Sequence, residues 1–204
     1  IRFNPAEAGT GIRFRRADLD DAPEIPATVE HVIATEFGTT LASGEARVLT
    51  VEHVMAALSG GCIDNVLIEM DGQEVPIRDG SFQEYSAALH DAGAVDQDEE
   101  VDIFTVPSVV HVEEAGGSSY VVTPADALRI SATIDFEDQR IGRSFGSFLV
   151  DESSFQSALA PARTFGFQAD AEALHARGFA LGSSLDNAVV IGEDGVMNEG
   201  GLRF

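Results

Sequence analysis

The chain has 204 residues, of which 44% are hydrophobic, so it is long enough to bury the core of one large domain or two small ones. Its formal net charge is −23, because 12 arginines are its sole fixed cations against 35 acidic side chains. A field of that sign repels nucleic acid and anionic membrane surfaces, which argues against nucleic acid as a partner. No run of about 18 apolar residues occurs, so no membrane span is predicted.

The single cysteine, Cys62, excludes an internal disulfide and is typical of a reducing compartment, which we take to be the cytoplasm. We expect Cys62 to be a small buried hydrophobe rather than a reactive thiol. The chain begins in what reads as the middle of a strand and ends without a terminal element. It is therefore expected to be a fragment, truncated at both ends.

Polar and apolar side chains alternate in the first 49 residues, which predicts several short strands. Residues 1–16 read as strand, turn, strand. The next predicted strands are residues 28–33 and a hairpin formed by residues 39–41 and 46–49.

A helix is predicted over residues 51–58, where apolar side chains recur at i, i+3, i+4 and i+7. Thr50 is the expected N-cap, with its hydroxyl accepting a hydrogen bond from a free backbone N–H. Glu52 and His53 then lie side by side in the first turn, about 100° apart around the helix axis. They can flank one small site, in which an imidazole binds a metal ion and a carboxylate accepts a proton from the attacking water. The ordinary alternative is a solvated acid beside a half-buried histidine.

The rest of the first half is predicted to add two strands and a second helix. Residues 65–70 form a short apolar strand, and residues 74–77 form an edge strand, because a proline within them cannot donate to a ladder. A capping box of Ser81 and Glu84 starts the helix, and Gly93 ends it.

The acidic run at residues 96–100 is the best candidate for a linker between two domains. Beyond it the α+β pattern recurs, with the clearest alternation of the chain in residues 128–136, where one apolar face runs for five positions. The other predicted elements are strands at residues 103–112, 120–123, 145–150 and 187–191 and helices at residues 151–160 and 169–176.

Five segments stand out in order along the chain: TVEH (50–53), GCIDN (61–65), PIRDGS (76–81), ARTFGF (162–167) and NEGGLRF (198–204). Together they resemble the UDP-3-O-acyl-N-acetylglucosamine deacetylase family, zinc amidases committed to lipid A synthesis. The resemblance implies an α+β fold of two pseudo-duplicated domains, packed through their helix layers with the active site between them. The first domain is expected at residues 1–95 and the second, incomplete at its C-terminus, at residues 101–204.

The resemblance also implies roles for individual residues. An N-acetyl group is removed by water that Zn²⁺ activates, with Glu52 as general base and His53 as a zinc ligand. Thr164 donates its hydroxyl to the oxyanion. The residues expected to contact the substrate, a UDP-linked acylated amino sugar, are Phe165 beside Thr164, Asp135 and Phe136 at the uridine, Asp170 near the nucleotide, and Leu181 and Leu185 along the acyl passage. The protein is expected to be a monomer.

The resemblance is incomplete at the metal. Two further zinc ligands of the family, a histidine and an aspartate four residues apart, follow the segment that ends here at Phe204. A catalytic zinc normally has three protein ligands, so with His53 alone the 204-residue chain is expected to be inactive or nearly so. A lysine that approaches the substrate phosphates in some relatives aligns with Ser118.

Two other interpretations stay open. The chain could be a non-catalytic relative that binds a nucleotide sugar or a protein partner. The missing ligands favour that interpretation, whereas the joint presence of Glu52, His53 and Thr164 disfavours it, since a binding protein needs no general base. It could also be an unrelated metallohydrolase with a duplicated α+β core, which would leave residues 163–167 and 198–204 unexplained. A His-Lys-x-x-Asp stretch after Phe204 would favour the enzyme.

Overall fold

The first half of the chain is a mixed α+β unit. The computed structural model describes residues 1–101, 103–169 and 184–199. In chain order the elements before residue 95 are β1 (Arg2–Pro5), β2 (Ile12–Arg16), β3 (Glu24–Pro26), a 3₁₀ turn (Val29–His31), β4 (Val32–Ala34), β5 (Thr40–Ser43), β6 (Ala46–Val48), α1 (Glu52–Gly60), β7 (Val66–Met70) and α2 (Gln83–Ala92). One sheet has the order β1-β7-β2-β3, and a second has the order β4-β5-β6. β7 enters between β1 and β2, antiparallel to the former and parallel to the latter.

Both sheets and both helices enclose one apolar core. Strand β7 buries every second side chain, so that Val66, Ile68 and Met70 point into the core. The predicted apolar face of α1 is confirmed at Val54 and Leu58, neither of which has any exposed surface. Burying a side chain of this size contributes about 1.5–3 kcal/mol. The half that carries α1 therefore has its own stabilising core.

Three predictions for this half are wrong. Residues 28–33 form a 3₁₀ turn followed by β4, instead of one strand. The predicted edge strand at residues 74–77 is reduced to one isolated bridge between Leu49 and Glu74. Cys62 is exposed, with a left-handed φ of 52°, because it lies in the turn that follows α1 and not beneath it.

The second half is built mainly from hairpins. Its described elements are β8 (Val110–Glu113), β9 (Ser119–Val122), β10 (Arg129–Asp135), β11 (Arg143–Leu149), a short helix α3 (Glu152–Ser154) that continues as a π-helical turn (Phe155–Leu159), β12 (Phe165–Phe167), β13 (Val189–Gly192) and β14 (Gly195–Val196). The pairs β8–β9 and β10–β11 are separate two-stranded sheets, and β12-β13-β14 form a third sheet. The helix predicted at residues 169–176 lies almost entirely outside the described residues.

The hairpin strands of this half keep their apolar side chains at the surface. β10 spans nearly the predicted residues, yet every one of its positions is exposed, including Ile130 at 47%. On β11 the Phe145 side chain is 70% exposed. The predicted strand is confirmed, and its apolar face is exposed. Alternation assigns side chains to faces, but burial also needs a layer packed against that face.

Helical residues join the two halves. The Phe155 ring packs 5.4 Å from the Phe82 ring at the start of α2. The same ring fills the space beside Gly60 at the end of α1, where a Cβ atom would lie 2.0 Å from it. The Gln156 amide donates to the Ser86 hydroxyl at 2.8 Å. The domain limits themselves stay a prediction, and none of the described helices is long and apolar enough to cross a membrane.

Candidate active site

The start of α1 places an acid and an imidazole next to each other. The helix begins at Glu52, and its N-cap residue, Val51, makes no side-chain cap. The prediction that Thr50 is the N-cap is wrong: Thr50 has a left-handed φ of 61°, and its hydroxyl donates to Glu74 Oε1 at 3.0 Å. The Thr50 hydroxyl is thus bonded to Glu74 and does not cap the first turn of α1.

Glu52 is held from a neighbouring strand connection. Its Oε2 atom accepts a hydrogen bond from the backbone N–H of Thr39 at 2.9 Å. Its side chain keeps 40% of its surface exposed. Glu52 is thus both fixed and open to solvent, as a proton acceptor must be.

The His53 ring is mostly buried, with 12% of its side-chain surface exposed. Its Nδ1 atom lies 3.8 Å from Glu52 Oε1, too far for a hydrogen bond, and has no partner in the described part of the chain. A buried ring nitrogen without a partner costs free energy that a bound ion or ligand could recover. The ring therefore fits the role of one metal ligand. Across residues 1–101, 103–169 and 184–199, no group of three or more His, Cys, Asp or Glu side chains could hold a metal ion, so a full ligand set is not found there.

Thr164 lies where the second half meets the first. Its backbone N–H donates to the Gly80 carbonyl at 3.0 Å, and its own carbonyl accepts from the Val189 N–H at 3.2 Å. The side chain is exposed. The described residues show no hydrogen bond between Thr164 and either Glu52 or His53. Its role as oxyanion donor therefore stays a prediction.

Gly80 makes this junction possible. It has a left-handed φ of 83°, and a Cβ atom on it would lie 2.2 Å from the carbonyl oxygen of Asn187. Since no side chain fits in that space, the junction requires glycine. The close approach keeps Gly80, three residues before α2, in contact with Asn187 and Thr164.

An ion pair reinforces the same junction. Arg163 Nη2 lies 3.4 Å from Asp79 Oδ2, and Asp79 Oδ1 accepts from both the N–H and the hydroxyl of Ser81. Partial burial raises the pKa of the Asp79 carboxyl, but the hydrogen bonds from Ser81 and Arg163 outweigh it and hold that pKa below its ordinary value. The predicted capping box is wrong for Glu84, which pairs with Arg78. The Ser81 hydroxyl accepts from the Gln83 N–H at 3.2 Å and donates to Asp79.

Two of the predicted substrate residues meet in an aromatic cluster. The Phe136 and Phe165 rings are 5.3 Å apart in an edge-to-face arrangement, and Phe167 contacts both, at 6.4 Å and 6.3 Å. Asp135 is exposed beside this cluster, with Arg143 Nε 3.9 Å from its carboxylate. The structure thus brings Phe136 and Phe165 into contact, and Asp135 precedes Phe136 at the end of β10. Phe167 was not predicted as a site residue, although it belongs to the same ARTFGF segment.

A cavity of about 820 Å³ is lined by Phe167 and by residues of β13 and β14. The Arg140 guanidinium lies 5.8 Å from the centre of that ring and binds Asp138 and the Gly192 carbonyl. Among the described residues that line the cavity, three carboxylates accompany this arginine: Asp138, Glu193 and Asp194.

The predicted acyl-passage residues are described in part. Leu185 is 45% exposed, which leaves its side chain available to an apolar ligand. Its carbonyl accepts from the side-chain amide of Asn198, which also binds the backbone of Ala188 and Val190. Asn198, a residue of the NEGGLRF segment, therefore holds the backbone of residues 185–190 in place. Asp170 and Leu181 lie outside the described residues.

Comparison with known proteins gives a consistent result. The whole chain, residues 1–204, matches the family model described as UDP-3-O-acyl N-acetylglycosamine deacetylase (LpxC). Proteins named UDP-3-O-acyl-N-acetylglucosamine deacetylase from Brucella ovis and Brucella melitensis biotype 2 are each 45% identical over 204 residues, which is 100% of this chain and 71% of theirs. The resemblance first seen in five short segments is confirmed and extends over the full chain.

Proposed function

This chain belongs to the UDP-3-O-acyl-N-acetylglucosamine deacetylase family, and from that membership we propose that it carries the general base, one zinc ligand and the oxyanion donor of such an enzyme. The reaction is hydrolysis of the N-acetyl group of UDP-3-O-acyl-N-acetylglucosamine, a step of lipid A biosynthesis. The observation that carries the proposal is the start of α1. There a fixed, exposed carboxylate lies beside an imidazole whose buried nitrogen has no partner in the described residues.

Each catalytic residue has a distinct task. Glu52 accepts a proton from the water that attacks the acetyl carbonyl, and a positioned general base of this kind contributes about 10²–10⁴ in rate. The Thr164 hydroxyl donates to the carbonyl oxygen as negative charge develops on it. His53 holds the metal ion, which when bound polarises the acetyl carbonyl as a Lewis acid.

The aromatic cluster is the proposed uridine site. The edge-to-face packing of Phe136 on Phe165 leaves ring surface for stacking of the uracil. The exposed carboxylate of Asp135 can accept the uracil N–H. Leu185 is the described member of the proposed acyl passage, which also includes Leu181, and Asp170 is proposed to lie near the nucleotide.

The remaining zinc ligands are proposed to lie outside residues 1–204. His53 accounts for one ligand, whereas a catalytic zinc site normally uses three. The chain spans 71% of the length of its Brucella relatives, so those proteins have residues for which this sequence has no counterpart. The 204-residue chain by itself is therefore expected not to deacetylate the substrate, even when zinc is supplied.

The base role is tested by Glu52→Gln in the full-length, zinc-loaded protein. We expect kcat to fall by about 10²–10⁴ with unchanged zinc content, because the amide keeps the shape of the side chain and cannot accept the proton. Glu45→Gln, an identical change at an exposed position between β5 and β6, is the control and should leave kcat unchanged. Near-parental turnover per zinc in the Glu52 variant would reject the base role.

The same assay addresses the non-catalytic alternative. That alternative is favoured by the incomplete set of metal ligands among the described residues. A full-length protein that binds the UDP-sugar and a stoichiometric zinc ion without turning the substrate over would be a binding relative. Measurable deacetylation that depends on Glu52 would exclude this interpretation.

A further inference from the structure

The described contacts include a hydrogen bond that holds the reacting group of Glu52. No other residue of the proposed catalytic set has its reacting group bonded, among those contacts, to the backbone of a residue distant in sequence. Glu52 Oε2 accepts from the N–H of Thr39, in the connection between β4 and β5. The Thr39 carbonyl in turn accepts from the N–H of Val51 at 3.3 Å. Thr39 therefore uses both of its backbone polar groups on the start of α1.

The shape of this connection matches that task. Gly38 lies beside the carboxylate, and a Cβ atom on it would lie 3.3 Å from Glu52 Oε1 and 3.5 Å from the Thr50 hydroxyl. Phe37 has a left-handed φ of 60°, and so does Thr50, at 61°. Left-handed backbone at residues other than glycine is strained, and such strain concentrates at functional sites. Two strained residues thus flank the bond between Thr39 and Glu52.

We propose that the Thr39 backbone N–H, kept close by the small residue Gly38, is a positioning element that aims the Glu52 carboxylate at the water it deprotonates. A glutamate at a half-exposed helix start has several rotamers of similar energy, and misplacement of a catalytic group by about 1 Å can cost about a hundredfold in rate. One hydrogen bond to Oε2 restricts that freedom and leaves Oε1 facing His53. This inference rests on the proposed role of Glu52.

The alternative for the same bond is a purely structural role in closing the start of α1, which lacks a side-chain cap. The two roles differ in what they change. Loss of a structural closure lowers the melting temperature of every form of the protein. Loss of a positioning bond lowers kcat and does so through Glu52.

The test replaces the amide between Gly38 and Thr39 by an ester in the full-length, zinc-loaded enzyme, which removes the N–H and keeps the Thr39 carbonyl and side chain. We expect kcat to fall about tenfold, a part of the 10²–10⁴ that a positioned base contributes, with KM and zinc content unchanged. The same ester between Gly44 and Glu45, in the exposed turn between β5 and β6, is the matched control and should retain kcat. In a Glu52→Gln background the ester should change kcat by less than about twofold, because the two changes act on one group.

A second variant perturbs Oε1, the carboxylate oxygen that Thr39 does not bind. Gly38→Ala crowds Glu52 Oε1 and should lower kcat several-fold, whereas Gly72→Ala, at a glycine with no atom within 4 Å of the added Cβ, should not. An ester enzyme with kcat within twofold of the parent would overturn the proposal, and so would a lowered melting temperature with kcat unchanged. If Glu52→Gln itself retains turnover, the proposed function fails; if Glu52→Gln is inactive and the ester is not, the positioning role alone fails.

Discussion

The two halves of the chain share the same alternating patterns and differ in what covers them. β7 buries Val66, Ile68 and Met70 in a core to which α1 and α2 also contribute side chains. β10 has an equally regular alternation, and all of its positions are exposed. A sequence pattern thus decides which side chains share a face, whereas stability comes from the layer packed against that face. The proposed base and metal ligand lie on the packed half, and the proposed uridine residues lie on or beside the uncovered hairpins.

The largest expected effect tests this difference directly. Phe14→Ala removes a ring with no exposed surface and should lower the free energy of unfolding of the 204-residue chain by about 3–5 kcal/mol. Phe145→Ala makes the same change at a 70% exposed ring and should stay within about 0.5 kcal/mol. Urea unfolding measures both. Equal losses would show that the hairpin face is covered after all and would remove the contrast.

The next effect concerns the junction between the halves. Gly44→Ala places a side chain at a left-handed φ of 60° in open space and should cost about 1–2 kcal/mol. Gly80→Ala also has a left-handed φ and in addition overlaps the Asn187 carbonyl, which should cost about 1–3 kcal/mol more. Melting temperatures of the pair isolate the contact across the junction. Similar melting temperatures would mean that the two halves do not meet there.

The smallest effect is a pH dependence at the same junction. Because the folded pKa of the Asp79 carboxyl lies below its unfolded value of about 3.9, the ionised form stabilises the fold above that pH. This stabilisation is lost as the pH falls through the folded pKa. Asp79→Asn should therefore show a shallower fall in Tm than the parent below about pH 4. Arg163→Gln should remove part of the difference, since the hydrogen bonds from Ser81 remain. Parallel Tm curves for parent and Asp79→Asn would contradict this account.

Much of the secondary structure could be predicted from local patterns. The span of β10 and the buried face of α1 follow from periodicity alone. The predicted capping residues fail because their side chains bind other partners: the Thr50 hydroxyl donates to Glu74, and Glu84 pairs with Arg78. The insertion of β7 between β1 and β2 is a long-range pairing for which no local pattern exists.

The candidate site was predictable where side-chain chemistry carries it. Glu52, His53 and Phe136 are proposed from residue type and resemblance. Thr39 was missed because it acts through its backbone, and a backbone N–H is common to every residue except proline. The pairing of Asp79 with Arg163 was also missed, although both lie in segments that the resemblance had singled out.

The central claim is that the two halves build one active site, with the base on α1 and the oxyanion donor at the junction. The most direct measurement is kcat of Thr164→Val and Thr164→Ser in the full-length, zinc-loaded enzyme. The account predicts a loss of about 10²–10³ for valine, which cannot donate, and near-parental turnover for serine, which can. A valine variant with parental kcat would place Thr164 outside the chemistry and contradict the claim.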